Sequence, residues 1–133
     1  MAERLLVIDA DDELRGAYES HFSRSGFDVH CAATIADAAS LLDTAPFDAV
    51  IADVRNLPVD NQRHPAVGRV LDPPQARVVV LTAYGEPEWA ATAARLGVDA
   101  FLHKPVSLAW LETLLRNGIA GRGLALAAGA RAS

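Results

Sequence analysis

Five side chains combine types and positions that could do chemistry. Asp9 and Asp11 follow the apolar run Leu5-Leu6-Val7-Ile8, and Asp53 follows Ala49-Val50-Ile51-Ala52. Thr82 follows Val78-Val79-Val80-Leu81, and Lys104 comes just after Phe101-Leu102-His103. Each run has the length of a strand, so all five residues stand where a strand ends. Parallel neighbouring strands would gather three carboxylates, a hydroxyl and the chain's single lysine on one rim. Acids packed together repel unless something cationic lies among them. A hard divalent cation such as Mg²⁺, held by one or two carboxylates and several waters, meets that need. One carboxylate can then act as nucleophile while ammonium, hydroxyl and metal offset the charge on a transferring phosphoryl group.

Each residue has a plainer reading beside this one. Asp53 could cap a turn, as aspartate often does. Asp11 or Asp12 is well placed to cap the helix that carries Leu14, with or without a functional role for Asp11. Thr82 could be an ordinary strand-end hydroxyl. Lys104 resists the plain reading most, because a lysine at the end of an apolar strand is costly without a partner. His21, His30, His64 and His103 show no metal-ligand spacing and read as structural or solvent-facing.

The elements that must position these side chains alternate in type. Leu5 to Ile8, Val29 to Ala33, Ala49 to Ala52, Val78 to Leu81 and Val98 to Leu102 read as strands, nearly continuous in hydrophobicity, as strands covered on both faces should be. Leu14, Ala17, Tyr18, His21 and Phe22 repeat at helical spacing, and Gly26 follows as a stop. Thr34 opens a second helix with Asp37 three residues on. Residues 86–96 form a clear helix closed by Gly97, and Ser107 starts the last one, which buries Leu108, Leu111 and Leu115. Residues 54–76 carry Pro58, Pro65, Pro73 and Pro74, so only a short or distorted helix around Ala66 to Leu71 is expected there. The predicted fold class is α/β: a doubly wound, five-stranded parallel sheet with helices on both faces. In such sheets the crevice for chemistry lies beyond the carboxyl ends of the strands.

Composition bounds the rest. At 133 residues the chain suits one domain that buries roughly two thirds of its unfolded surface. Half of its residues are hydrophobic (51%), which excludes wholesale disorder. A net charge of −5, with eleven arginines scattered rather than clustered, argues against direct nucleic-acid binding. The single cysteine, Cys31, can form no internal disulfide and reads as part of a buried strand, which fits a reducing, cytoplasmic setting. No apolar run is long enough to span a bilayer or read as a secretory signal. The expected organisation is one domain over residues 1–117, then a flexible or helical Gly- and Ala-rich tail over 118–133.

With these residues in view, the chain resembles the receiver domains of two-component response regulators over about residues 4–117. The matching pieces are Leu5-Leu6-Val7-Ile8-Asp9, Phe47-Asp48-Ala49-Val50-Ile51-Ala52-Asp53, Val80-Leu81-Thr82-Ala83 and Phe101-Leu102-His103-Lys104-Pro105. The resemblance implies a CheY-like, flavodoxin-like (βα)5 fold with strand order 2-1-3-4-5. It implies that Asp53 accepts a phosphoryl group from a histidine kinase or phosphotransfer protein, with no turnover beyond self-catalysed transfer and autodephosphorylation. Asp9, Asp53 and the carbonyl of Arg55 would hold Mg²⁺, and Asp11, one place later than the family's second acid, would join them only through a shifted loop. Thr82 and Lys104 would bond the phosphoryl oxygens, and the Lys104–Pro105 bond would be cis. Thr82 and Phe101 would act as the switch, the loop over residues 83–87 would follow, and a face bearing Trp89 and Trp110 would change for a downstream partner or effector domain. A homodimer is also compatible with the family.

Two departures from the family pattern stand out. Receivers carry two adjacent acids after the first strand, but here the order is Asp9-Ala10-Asp11, so Ala10 takes the place of a usual metal ligand and weaker Mg²⁺ binding is expected. The proline after Asp53 falls five residues on, at Pro58, rather than four. These departures motivate an alternative: a pseudo-receiver that binds partners without phosphorylation. A more distant alternative is a haloacid-dehalogenase-type phosphatase with Asp9 as nucleophile and Asp11 as acid. That reading lacks an acidic pair after Lys104 and leaves Asp53 unexplained.

Overall fold

The structure, a computed structural model, describes residues 2–55, 57, 61, 63–82 and 87–117. In chain order the elements are β1 (Arg4–Ile8), α1 (Asp12–Arg24), β2 (Asp28–Ala32), α2 (Ile35–Leu42), β3 (Ala49–Asp53), α3 (Val67–Leu71), β4 (Arg77–Thr82), α4 (Pro87–Leu96), β5 (Ala100–His103) and α5 (Leu108–Asn117). The strands form one parallel sheet in the order β2-β1-β3-β4-β5. Fold class and strand order are those the sequence and its family resemblance imply.

Because side chains alternate along a strand, consecutive residues feed two separate cores. Leu6, Ile8, Val50, Ala52, Val78 and Val80 face α2, α3 and α4. Leu5, Val7, Ala49, Ile51, Val79 and Leu81 face α1 and α5. Each large side chain so buried contributes roughly 1.5–3 kcal/mol. Both faces being covered explains why the central strands read as continuous apolar runs. Strand β2 departs from that reading: at the sheet edge its five residues run from exposed to buried, and Cys31 is half-buried.

Helix ends follow local chemistry. The Asp11 carboxylate accepts the N–H groups of Glu13 (2.9 Å) and Leu14 (3.1 Å), capping α1. Thr34 Oγ1 accepts from Asp37 N for α2, and Ser107 Oγ accepts from Trp110 N for α5. Gly26 (φ +98°) and Gly97 (φ +68°) end their helices in the left-handed region, where a Cβ is unfavourable. Helix α3 is five residues long and lacks a side-chain cap, as the flanking prolines predict.

Two expectations need correction. Strand β5 starts at Ala100 rather than Val98, because Asp99 is taken up in pairing with Val78: its N–H donates to the Val78 carbonyl and its carboxylate accepts the Val78 N–H. The Trp89 side chain is not presented at the surface as a partner contact would need. It is 3% exposed and leads the buried stripe Trp89-Thr92-Ala93 of α4, against the core on the α2–α4 face of the sheet. Expectations about residues 83–86, the start of the fourth helix at Glu86, the turn around Pro58 and the tail over 118–133 lie outside the described residues.

Candidate functional site

Pairing of β1 with β3, and of β3 with β4, sets the rim. Ile8 lies opposite Ala52 and Asp53 opposite Leu81, so Asp9, Asp53 and Thr82 emerge at the same end of the sheet. Strand β5 pairs Thr82 with His103, and Lys104 N donates to the Thr82 carbonyl at 2.8 Å, which brings the lysine to the rim. The Lys104–Pro105 bond is cis, as the family resemblance implies.

Asp53 is completely buried, and its oxygens are unequal. Oδ2 accepts from Lys104 Nζ at 2.6 Å and from the Tyr18 hydroxyl at 3.0 Å. Oδ1 accepts a single long bond, 3.4 Å, from Arg55 N. A buried carboxylate needs a cation and donors close by, and the lone lysine supplies the charge.

Asp9 is also fully buried. Its Oδ1 accepts the Asp11 N–H at 2.8 Å, while Oδ2 is buried with no hydrogen-bond partner. Burial lifts the Asp9 pKa to about 6. The Asp11 N–H works against that rise, and the Asp53 carboxylate beside it adds to it.

The other expected site residues are spread around this pair. Thr82 is buried at the end of β4. Phe101 is half-buried and meets His103 edge to face, with centroids 5.7 Å apart. Trp110 is half-buried against the α1–α5 core. Asp11 sits next to the site, but its carboxylate is engaged as the α1 cap. Ala10 packs partly buried against the opposite core. Tyr18 was read only as part of a buried helical stripe; its contact with Asp53 is additional. The available signal was a tyrosine rather than a phenylalanine in that stripe, since a buried hydroxyl needs a partner.

Among the described residues no group of three or more His, Cys, Asp or Glu side chains is arranged to hold a metal ion. Two carboxylates are adjacent, however, and one has an unpartnered buried oxygen. That donor set fits a hard divalent cation that keeps most of its waters, with fewer protein charges than a three-acid site provides.

The strand order and this rim define the class: a doubly wound α/β domain with two buried aspartates and a lysine beyond the carboxyl ends of its strands. Residues 5–116 match the response regulator receiver domain family. The chain belongs to that family. It is 30% identical over 126 residues to the response regulator protein PilR of Pseudomonas aeruginosa, covering 88% of this chain and 26% of that protein. It is 28% identical over 116 residues to the regulatory protein AtoC of Escherichia coli, covering 87% of this chain and 25% of that protein. The chain thus spans about a quarter of the length of these curated relatives. Among solved structures, a CheY-like receiver domain protein from Methanospirillum hungatei matches with a TM-score of 0.76 at 20% identity, over 88% of this chain and 93% of that one. A response regulator from Burkholderia pseudomallei, solved with a phosphorylated aspartic acid, a calcium ion and citrate, matches with a TM-score of 0.72 at 27% identity, over 85% of this chain and 66% of that one. No described helix is long and apolar enough to cross a membrane.

Proposed function

We propose that this receiver takes a phosphoryl group onto Asp53 from a histidine kinase or phosphotransfer protein and uses it to switch a partner-binding face. The observation that carries the reading is the buried Asp53 carboxylate held 2.6 Å from the Lys104 ammonium at the crevice end of the sheet. An Asp53 oxygen bonds phosphorus as the P–N bond of a phosphohistidine breaks, and the imidazole leaves with the electron pair. Lys104 and the Thr82 hydroxyl would bond the new phosphoryl oxygens. Asp9, Asp53 and the Arg55 carbonyl would hold a divalent cation, which when bound offsets negative charge on the acids and the phosphoryl group. The phosphorylated aspartic acid and calcium ion of the Burkholderia relative support this chemistry.

The added phosphate brings nearly two negative charges to the rim. Thr82 and Phe101, on β4 and β5, carry that change toward the face formed by α4, β5 and α5, with Trp110 at its margin. A downstream protein, an effector domain or a second copy of the chain would read that face, in a cytoplasmic setting.

A second reading is favoured by one observation. Ala10 stands at a ligand position, and the Asp11 carboxylate would have to give up two N–H bonds to replace it. The rim then holds two acids rather than three, as in a pseudo-receiver that binds partners unmodified. The phosphatase reading is not carried forward, since Asp11 is the α1 cap and it gives Asp53 no role.

Intact mass after incubation with acetyl phosphate, with and without Mg²⁺, decides between the first two. A single phosphoryl gain that needs Mg²⁺ and disappears in Asp53→Asn is the expected result. No gain under any condition leaves the pseudo-receiver.

A further inference from the structure

We propose that the Tyr18 hydroxyl is a built-in brake on phosphorylation, a positioning residue that favours the unmodified Asp53 carboxylate over its acyl phosphate. The inference rests on the reading of Asp53 as phosphoacceptor. Tyr18 reaches the rim from α1, is 3% exposed, and donates to Asp53 Oδ2 at 3.0 Å. Lys104 Nζ shares that oxygen and lies 6.0 Å from the centre of the Tyr18 ring. Two donors on Oδ2 leave Oδ1, with one long backbone bond, as the oxygen free to attack.

With acetyl phosphate as donor, Oδ1 forms the bond to phosphorus while the donor's P–O bond breaks, and acetate leaves with the electron pair. Oδ2 changes from half of a carboxylate into the carbonyl oxygen of a mixed anhydride. A hydrogen bond to a charged acceptor is roughly twice as strong as one to a neutral acceptor, so the Tyr18 bond weakens as the product forms. Lys104 has a long flexible stem and can follow the charge onto the phosphoryl oxygens. Tyr18 cannot, because its ring is fixed in the core between α1 and the sheet. An ordinary phenol, with a pKa of about 10, is a donor at neutral pH. A phenylalanine in the same place would keep the packing and lose the brake.

Tyr18→Phe and Tyr18→Leu are compared with the native chain by intact mass over time with acetyl phosphate and Mg²⁺, circular dichroism confirming that each folds. Both are expected to label about three- to tenfold faster and to a higher plateau, and Asp53→Asn in either background abolishes the gain. The ¹³Cζ resonance of Tyr18 in the native chain is expected to move on phosphorylation, since its acceptor loses its charge. A lost packing contact alone would lower the melting temperature without raising the plateau. Equal or slower labelling of folded variants, or an unmoved Tyr18 resonance in labelled native protein, overturns the brake and leaves the Asp53 reading intact. Absence of labelling in all chains overturns both. A silent native chain whose Tyr18→Phe form is labelled supports both.

Discussion

Asp9 shows how a residue can weaken a fold for the sake of a site. Its carboxyl prefers to be protonated in the folded chain, with a pKa raised from 3.8 to about 6, mainly by burial. A raised pKa contributes stability that is fully present below about pH 4 and is lost as the pH rises through about 6. Near neutral pH Asp9 is therefore a charge the fold must tolerate beside Asp53. In chelator-treated buffer at pH 7.5, Asp9→Asn is expected to be more stable than the native chain by up to about 3 kcal/mol. The difference should shrink toward zero near pH 4, as followed by urea unfolding across pH. Lys104 makes the opposite case, since Lys104→Met leaves Asp53 buried without its cation. A loss of about 3 kcal/mol is expected, near the low end for breaking a buried pair because 16% of the Lys104 side chain remains in solvent. The double variant Lys104→Met/Asp53→Ala should regain most of that loss in the same unfolding assay.

At the scale of elements, α1 links the site to the rest of the fold from its start and its middle. Its first turn is capped by Asp11, and its second turn sends Tyr18 back to Asp53. Asp11→Ala should cost about 1 kcal/mol in thermal unfolding, while Asp11→Ser should recover most of it, because serine also caps well. If Asp11 also served a cation, Asp11→Ser would weaken the Mg²⁺-dependent rise in melting temperature, a difference that thermal titration reads directly. The strands and caps were legible because they follow local rules: an apolar run for each of β1, β3 and β4, threonine and serine before α2 and α5, and glycine after α1 and α4. The start of β5 was not, since the capture of Asp99 by Val78 is a contact between elements distant in sequence. The inward turn of Trp89 was missed because a tryptophan near a helix start carries no mark of which side of the helix the sheet will cover. The Tyr18–Asp53 bond spans 35 residues of chain and depends on how α1 lies across β3.

For the whole molecule, the sheet divides the interior into two cores that share only its backbone. Leu71 lies in the core on the α2–α4 face, and Leu115 in the core under α1 and α5. Each change to alanine should cost about 2–5 kcal/mol, and the double variant should equal the sum within about 0.5 kcal/mol. Urea unfolding of the four chains tests this, and a larger deviation would mean that strain passes through the sheet. Among the described residues the parallel order also leaves two strands with an unpaired side, β2 and β5. Such borders can recruit strands from other copies of a chain. Here β5 is only four residues long. On β2, Asp28 lies 3.6 Å from Arg4 and 3.2 Å from His30, which sets polar and charged side chains along the open border. Replacing Asp28 and His30 by valine should raise light scattering in concentrated solution while leaving the monomer's melting temperature nearly unchanged. A rise in scattering would make this border of β2 a colloidal guard that keeps crowded copies of the chain from growing into one another's sheets.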